Sequence, residues 1–316
     1  MRVLVTGGLG FIGSSLVDTL VEQGHSVRVI DDLSTGRDDF RNPDSELIVG
    51  DINDELLMLK AVAGVEVVFH QAALRAVARS VENPLATDRA NTHGTLGVLN
   101  AARVAGVRRV VSASSSSVYG GAETRPTPED APLSPRSPYA VSKRNGEEYG
   151  RVFNELYGVE TVALRYFNVY GPRQRPDSAY AAVIPLFIEA LTSGEHPIVH
   201  GDGHQSRDFT YITDVVAANL AAAAAPADVC SGRAYNVAMG DEHSLLDLLG
   251  ILARHLDVSP DPVHSEPRAG DVRHTCADPT AAARDLGFRA EVSFTDGLAR
   301  TVDWFTKTRL ATTVTA

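Results

Sequence analysis

Cysteine and positive charge are both scarce in this chain. The 316 residues include two cysteines, Cys230 and Cys276, which are too few for a disulfide framework or for a metal site with paired thiolate ligands. Acidic residues outnumber basic ones by 40 to 29, which leaves a formal net charge of -11. A nucleic-acid-binding surface calls for clustered basic residues. We therefore expect neither a nucleic-acid partner nor a bound metal.

Long hydrophobic runs are missing as well. A membrane-spanning helix needs about 20 consecutive apolar residues, and no run in the sequence approaches that length. Met1 and Arg2 lead directly into Val3–Val5, which is typical of a strand rather than of a signal-peptide core. We therefore expect a cytoplasmic protein without a membrane partner, whose 44% hydrophobic residues suffice for a large core.

The sequence alternates short apolar runs with amphipathic stretches. Val3–Val5, Ser26–Ile30 and Val65–Phe69 are short runs of the first kind. Such runs are typical of a parallel sheet that is covered by helices on both faces. Asp88–Gly106 and Pro138–Tyr157 are predicted to form long helices among the strands. The expected fold class is therefore α/β.

A glycine-rich segment, Thr6–Gly13, follows the first strand and opens the first helix. Its glycines at Gly7, Gly10 and Gly13 permit a tight turn, close approach of the backbone to a pyrophosphate, and close packing of helix on strand. With a strand before it and a helix after it, the segment is typical of a dinucleotide-binding loop.

Acidic residues end the second and third predicted strands. Asp31 and Asp32 stand about 20 residues after the glycine segment, the distance expected for a carboxylate that binds the ribose 2′-hydroxyl. Such a carboxylate repels a 2′-phosphate, so the sequence favours NAD over NADP, and Arg37 is the one nearby signal to the contrary. Asp51 and Ile52 are expected beside the adenine, although a strand-end carboxylate without a ligand explains Asp51 nearly as well.

Tyr139 and Lys143 lie one turn apart on the predicted helix Pro138–Tyr157. A nearby cation lowers the pKa of a phenol from its usual value of about 10. The pair therefore predicts a phenolate base that works near neutral pH. Upstream, the run Ser114–Ser117 follows a predicted strand, and one of its hydroxyls is expected to hydrogen-bond a substrate oxygen.

These elements follow one another in a characteristic order. The glycine segment is followed by Asp31, His70–Ala73, Ser115, Tyr139 with Lys143, and Arg165–Asn168. In this order they resemble the extended short-chain dehydrogenase/reductase family and, within it, the UDP-hexose 4-epimerases, over essentially the whole chain. The resemblance implies a Rossmann-type doubly wound NAD domain, residues 1–166 plus about 210–238, and a smaller α/β nucleotide-sugar domain, residues 167–209 and 239–316. It also implies a homodimer through a four-helix bundle made by the two long helices.

The same resemblance assigns roles to individual residues. It makes Tyr139 the base, Lys143 its electrostatic partner and ribose anchor, and Ser115 the hydroxyl that shares the proton at the sugar O4. The residues implied for the NAD site, besides the glycines, are Phe11, Ile12, Asp31, Asp32, Asp51, Ile52, Ala72, Ala73, Arg75, Asn91, Tyr139, Lys143 and Tyr166. Ala113 departs from the family, many of whose members have a serine there. Related dehydratases and decarboxylases carry acidic residues near Ser115 and Ser116, so both chemistries lack their acid in this chain.

A further set of residues is implied to bind the substrate. It consists of Ser115, Ser116, Asn168, Arg175, Val183, Arg207, Arg268, Asp271 and Thr275. The arginines at 207 and 268 match diphosphate ligands of the family, a task that suits the planar, permanently charged guanidinium. Asp271 matches a ligand of the uridine ribose. Thr275 stands where a small side chain admits an N-acetyl group, and Ala179–Pro185, which includes Val183, is also similar to UDP-N-acetylglucosamine 4-epimerases.

Arg175 is consistent with a second substrate, UDP-glucuronate. It matches the position at which UDP-glucuronate 4-epimerases bind the sugar carboxylate, whereas those relatives tend to have threonine in place of Asn168. The implied reaction is an NAD-dependent 4-epimerisation of UDP-glucose/UDP-galactose, or of their N-acetylated forms, through a transient 4-keto sugar. The alternatives are a UDP-glucuronate 4-epimerase and a nucleotide-sugar 4-ketoreductase, which consumes a reduced cofactor.

Overall fold

The computed structural model describes residues 1–177, 181–267 and 272–314, with side chains up to residue 308. The strands are β1 (Arg2–Thr6), β2 (Ser26–Asp31), β3 (Glu46–Val49), β4 (Val67–His70), β5 (Arg109–Ser115), β6 (Glu160–Tyr166), β7 (Val169–Tyr170), β8 (Ile198–His200), β9 (Ser206–Asp208), β10 (Thr210–Tyr211), β11 (Arg233–Val237), β12 (Glu242–Ser244), β13 (Val263–Ser265) and β14 (His274–Thr275). The α-helices are α1 (Phe11–Glu22), α2 (Glu55–Ala61), α3 (Val77–Glu82), α4 (Pro84–Asp88), α5 (Gly94–Ala105), α6 (Pro138–Tyr157), α7 (Val183–Ser193), α8 (Ile212–Ala224), α9 (Ala227–Cys230), α10 (Leu245–Leu256), α11 (Thr280–Asp285) and α12 (Phe294–Val314).

Seven parallel strands form the main sheet, in the order β11-β6-β5-β4-β1-β2-β3. Successive side chains of a strand point to opposite faces, and β1 shows the result. Val3 and Val5 pack in a core with α1 and α8, whereas Leu4 packs in a second core with α2 and α5. Helices on both faces of a parallel sheet confirm the predicted doubly wound α/β fold.

The strand order reverses direction at β1, which lies between β2 and β4. In open α/β sheets, ligands bind in the crevice that such a reversal leaves at the carboxyl ends of the strands. The topology therefore places the glycine segment after β1, the acidic end of β2 and the loop after β4 around one crevice.

Both predicted long helices are present. α6 has the predicted bounds, because the Ser137 hydroxyl caps its first turn by accepting the N–H of Ala140, and Gly158, with φ 69, ends it. The other helix begins earlier than predicted. It starts after Asn83, which caps α4, and runs through a π-helical turn at Arg89–His93 into α5 without a break.

The second half of the chain adds small sheets to the main one. Their strand orders are β10-β7, β12-β9-β14 and β13-β8. A third hydrophobic core joins α7, α10 and α12. In the ranges given above, no helix is long and apolar enough to cross a membrane, and no group of histidine, cysteine, aspartate and glutamate side chains could hold a metal ion.

Candidate active site

A cavity of about 820 Å³ opens at the carboxyl ends of β1, β2, β4 and β5. Its wall contains almost all of the predicted cofactor and catalytic residues, namely Gly7, Gly10, Phe11, Ile12, Gly13, Asp31, Asp32, Asp51, Ile52, Ala72, Ala73, Arg75, Ser115, Tyr139, Lys143 and Tyr166. Four residues of the predicted substrate set, Ser115, Ser116, Asn168 and Arg175, lie in the same wall. The fold thus joins the two predicted sites in one cavity.

The glycine segment brings the start of α1 against this cavity. Gly7 has φ 67, and a Cβ atom there would lie 2.8 Å from the Cα of Ala72. A Cβ atom at Gly13 would lie 2.1 Å from the carbonyl oxygen of Gly7, so both positions need glycine. Gly10, the N-cap residue of α1, has no side chain that could cap the first turn, which leaves first-turn N–H groups of α1 to a ligand. A helix N-terminus of this kind attracts a diphosphate, and the residues present therefore fit NAD.

Two carboxylates border the cavity at the end of β2. The nearly buried Asp31 accepts hydrogen bonds from the N–H groups of Leu9 at 3.0 Å and Leu33 at 2.9 Å. Burial raises the pKa of Asp31, and these two hydrogen bonds oppose the rise. The exposed Asp32 accepts from the N–H and the hydroxyl of Ser34. Each carboxylate has two oxygens, so a ribose hydroxyl can still donate to either of them.

Arg37, the residue that favours NADP over NAD in the sequence, forms an ion pair with a neighbouring aspartate. Its Nε donates to Oδ1 of Asp39 at 2.7 Å. Asp51 lies in the cavity wall beside Ile52, and one of its oxygens accepts from the backbone N–H and the side-chain amide of Asn53. The geometry thus leaves carboxylates, rather than a free arginine, at the edge of the cavity where the ribose is expected.

Asn91 lies behind the cavity wall. Its amide accepts the N–H of Leu74 at 2.8 Å and donates to the carbonyl of the same residue at 3.0 Å. It also donates to the hydroxyl of Ser142, on the helix that carries the catalytic pair, at 3.1 Å. Asn91 therefore holds the loop after β4, with Ala72 and Arg75, against α6. This support through the loop differs from the direct cofactor contact that the resemblance implies.

The predicted catalytic residues converge on the cavity from two elements. Ser115 ends β5, while Tyr139 and Lys143 lie in the first half of α6. Nζ of Lys143 donates to the carbonyl oxygen of Ala113 at 2.7 Å and lies 5.9 Å from the ring centroid of Tyr139. Ala113, which departs from the family as alanine, thus contributes through its main chain.

The titration of this group differs from the sequence-based expectation. Burial raises the pKa of Tyr139, and the hydrogen bond with Ser115 and the charge of Arg75 offset the rise only in part. Burial lowers the pKa of Lys143 to about 8, while the charge of Glu147 acts in the opposite direction. The expectation that Lys143 brings the phenol pKa below its usual value is therefore wrong, because desolvation of the phenolate outweighs the Ser115 hydrogen bond and the charge of Arg75.

Three described residues of the predicted substrate set, Val183, Arg207 and Thr275, are not part of this wall. Thr275 on β14 pairs with Arg207 on β9, and the Thr275 hydroxyl lies 3.4 Å from the side-chain amide of Asn168. The fold thus brings Thr275, Arg207 and Asn168 together. Val183 begins α7 and packs against the third core. Arg268 and Asp271 fall outside the described residues.

Comparison with known proteins agrees with this geometry. The family model described as "NAD dependent epimerase/dehydratase family" matches residues 3–238. The chain belongs to this family. The match confirms the resemblance that the ordered motifs indicated.

Three relatives of this family member are informative. A UDP-glucose 4-epimerase of Mycolicibacterium smegmatis is 42% identical over 312 residues, which cover 96% of this chain and 98% of the relative. The structure of a UDP-glucose 4-epimerase from Thermotoga maritima with UDP-glucose is 37% identical, with a TM-score of 0.94 and coverage of 98% of this chain and 100% of that one. A UDP-N-acetylglucosamine 4-epimerase from Methanobrevibacter ruminantium, solved in complex with UDP-N-acetylmuramic acid, is 38% identical, with a TM-score of 0.91 and coverage of 97% and 98%.

One feature of this epimerase/dehydratase family member escaped the sequence analysis. Glu147, one turn after Lys143 on α6, forms a nearly buried ion pair with Arg165 at 2.8 Å and accepts a hydrogen bond from Ser114. Arg165 also donates to the hydroxyl of Tyr119 at 2.7 Å. The spacing of Lys143 and Glu147 was the available signal, since residues four apart share a helix face.

Proposed function

We propose that this chain is an NAD-dependent 4-epimerase of a UDP-hexose, acting on UDP-glucose/UDP-galactose, UDP-N-acetylglucosamine/UDP-N-acetylgalactosamine, or both. The observation that carries the proposal is the single cavity that has Ser115, Tyr139 and Lys143 in the same wall as the helix N-terminus and Asp31. A base that can take a hydroxyl proton is thereby placed beside a site that fits a dinucleotide. Epimerase relatives with nearly full-length coverage support the same reaction.

The residues of the chain act on the sugar O4. NAD, when bound, supplies a reversible acceptor for the hydride at the sugar C4. Tyr139, in its phenolate form, takes the O4 proton, and Ser115 donates a hydrogen bond to that oxygen as the 4-keto sugar forms. Lys143 stabilises the negative charge that develops on the phenol oxygen, because it is a cation held close to the ring. Tyr139 returns the proton to O4 after the keto sugar has rotated in the site and has received the hydride on its other face.

The diphosphate must stay bound while the keto sugar turns. Asn168 and Arg207, which the fold brings together with Thr275, are the proposed ligands, along with Arg268 and with Asp271 at the uridine ribose. Arg175 is the proposed ligand of a sugar carboxylate in the second candidate, a UDP-glucuronate 4-epimerase. Its guanidinium, however, binds both oxygens of Asp177 at 2.7 Å. This local pairing is the reason for placing neutral hexoses first.

The proposed assembly is a homodimer through a four-helix bundle of α5 and α6. Val104 on α5 and Val141, Leu156 and Tyr157 on α6 are large apolar side chains that stand exposed on the single chain. Burying them against a second copy removes apolar area from water. A Leu156→Glu variant is expected to shift the protein toward monomers in light scattering, whereas Leu56→Glu, at an exposed leucine of α2, is expected to leave its mass unchanged.

Two organisational proposals accompany the reaction. Residues 1–166 with about 210–238 form the cofactor domain, since β11 completes the main sheet beside β6; residues 167–209 and 239–316 form the nucleotide-sugar domain.

We place the enzyme in the cytoplasm, because Cys230 and Cys276 are both buried free thiols.

The proposal is tested by incubating the purified protein, without added cofactor, with UDP-glucose, UDP-N-acetylglucosamine and UDP-glucuronate in separate reactions. Anomeric proton signals are followed by NMR. Appearance of a galacto-configured product from either neutral hexose supports the proposal, and a hundredfold preference for UDP-glucuronate would establish the second candidate instead. Turnover that requires and consumes NADH or NADPH identifies a 4-ketoreductase and overturns both.

A further inference from the structure

The segment Gly171–Asp177 connects the substrate half of the molecule to the cofactor half. It follows β7, and its residues Arg173, Gln174 and Arg175 form part of the cavity wall. Nη2 of Arg173 lies 2.7 Å from Oδ2 of Asp18. The Cζ atom of the same guanidinium lies 5.5 Å from the ring centroid of Phe40.

Asp18 and Phe40 belong to two elements of the cofactor half. Asp18 lies on α1, the helix that begins at the glycine segment, and its second oxygen accepts the side-chain amide of Asn42 at 2.8 Å. Phe40 is itself in the cavity wall, and the guanidinium of Arg37 lies 5.7 Å from its ring centroid. Arg173 therefore ties three segments around one rim of the cavity.

Arg173 differs from an ordinary surface arginine in its backbone conformation and in the burial of its side-chain nitrogen. Its φ of 70 lies in the left-handed region, which a residue with a side chain keeps only where its surroundings enforce it. Among the described residues, its Nη1 and the Oε1 of Gln174 are buried without a hydrogen-bond partner. Buried polar atoms without partners are unfavourable. Because both residues line the cavity, a dinucleotide that fills it offers groups with which they can bond.

We propose that Arg173 is a positioning residue that latches the segment Gly171–Asp177 over bound NAD and so determines how slowly the cofactor leaves. The inference rests on the proposed function, since a 4-epimerase regenerates NAD within each turnover and needs to retain it. The latch consists of the ion pair with Asp18 and the stacking on Phe40. Both contacts have to break before the segment can move away from the cofactor side.

The test measures the rate at which NAD leaves the holoprotein after transfer into excess labelled NAD. Arg173→Ala is expected to release NAD at least tenfold faster than the wild type. Arg173→Lys is expected to fall between the two, because an ammonium keeps the charge facing Asp18 but lacks the planar group that stacks on Phe40. The matched control is Arg284→Ala, which removes an exposed arginine paired with Asp285, and its release rate is expected within twofold of the wild type.

A second variant separates a latch from a general loss of structure. Phe40→Leu leaves the ion pair with Asp18 in place and removes the stacking, so it is expected to accelerate release less than Arg173→Ala while the cofactor-free protein melts near the wild-type temperature. If Arg173→Ala and Phe40→Leu both release NAD at the wild-type rate, the latch is overturned, whereas the proposed function is unaffected. A wild-type protein that binds no NAD overturns the proposed function, and the latch with it.

Discussion

The cofactor half and the substrate half of this molecule hold their candidate site residues in different ways. In the cofactor half, the predicted residues line one cavity, from Gly7 at the end of β1 to Tyr166 at the end of β6. In the substrate half, Asn168, Arg207 and Thr275 meet between short strands, whereas Val183 packs in a core. The difference is that the first site is built largely from backbone and the ends of the main sheet's strands, and the second from side chains on two- and three-residue strands and the loops beside them.

This contrast has a physical origin. A glycine turn, a helix N-terminus and strand-end carboxylates are fixed by the parallel sheet itself, so their sequence spacing determines their position. Arginine side chains on loops have several rotatable bonds and can pair with any of several nearby carboxylates, so their sequence position does not determine their partner. Arg175 shows this, because it binds Asp177 two residues away. Comparing the two halves by mutation therefore tests whether cofactor binding and sugar binding are separate.

The largest effect is expected for Tyr139→Phe. Removing the hydroxyl that takes the O4 proton is expected to lower kcat by about a thousandfold or more, while NAD stays bound because the rest of the cavity is unchanged. Both quantities are read from the same preparation, the rate by NMR and bound NAD by its absorbance after denaturation. Tyr149→Phe, at a partly buried tyrosine on the same helix, serves as the control and should keep nearly full activity. Unchanged turnover in Tyr139→Phe would mean that another group is the base.

Much of the site could be predicted from the sequence, but the protonation of its side chains and its long-range contacts could not. The order of Gly7, Asp31, Ser115, Tyr139 and Lys143 is a property of the chain, so motif spacing sufficed. The raised pKa of Tyr139 was not foreseen, because spacing reports the nearby lysine but not the loss of solvent around the phenol. Long-range pairing likewise leaves no local signal.

Arg173 illustrates that last limit. Its partner Asp18 is far away in the sequence, and only the folded chain brings the two side chains together. Neither a periodicity nor a motif around either residue marks the contact.

A smaller effect, confined to the substrate half, is expected for Arg207→Ala. Loss of a charged hydrogen bond to phosphate, about 1.5–3 kcal/mol, corresponds to a KM for the UDP-sugar that rises by about ten- to a hundredfold. NAD retention should not change if the two halves bind separately. Arg273→Ala is the control, because that side chain forms an exposed ion pair with Asp202 in the same lobe, and its KM should stay within about twofold. An unchanged KM in Arg207→Ala, or loss of NAD, contradicts the assignment.

A pH effect is expected from His70 in the cofactor half. This histidine is buried between the hydroxyls of Thr6 and Thr95, and burial, with a smaller contribution from Lys143, lowers its pKa to about 3. Unfolded histidine titrates near 6.5, so between pH 3 and 6.5 the unfolded chain binds more protons than the folded one. The free energy of unfolding therefore falls with acidification in this window, with a contribution of up to about 1.4 kcal/mol per pH unit.

The slope is measured by urea unfolding across that range. His70→Asn is expected to flatten it, even though the variant is less stable at neutral pH. His255→Asn, at an exposed histidine of α10, is the matched control. Equal slopes in the wild type and the His70 variant would show that another group carries the acid sensitivity.

The smallest effect is expected for Thr275→Tyr, which sharpens the sugar assignment within the substrate half. A larger side chain beside Asn168 should reduce kcat/KM for UDP-N-acetylglucosamine about tenfold relative to UDP-glucose, the order expected from a steric clash of 1–3 kcal/mol. Thr275→Ser, which keeps the hydroxyl and adds no bulk, should keep the wild-type ratio. A parallel loss for both sugars would place Thr275 away from the sugar C2.

The central claim is that the hydrogen at C4 leaves the sugar and returns to it within one active site. UDP-glucose carrying deuterium at C4 is converted in ordinary water without added cofactor, and the UDP-galactose formed is analysed by mass spectrometry and NMR. The account predicts that the product retains deuterium at C4, because bound NAD would take up and return the same hydride without exchange with solvent. Replacement of that deuterium by hydrogen from solvent would contradict it.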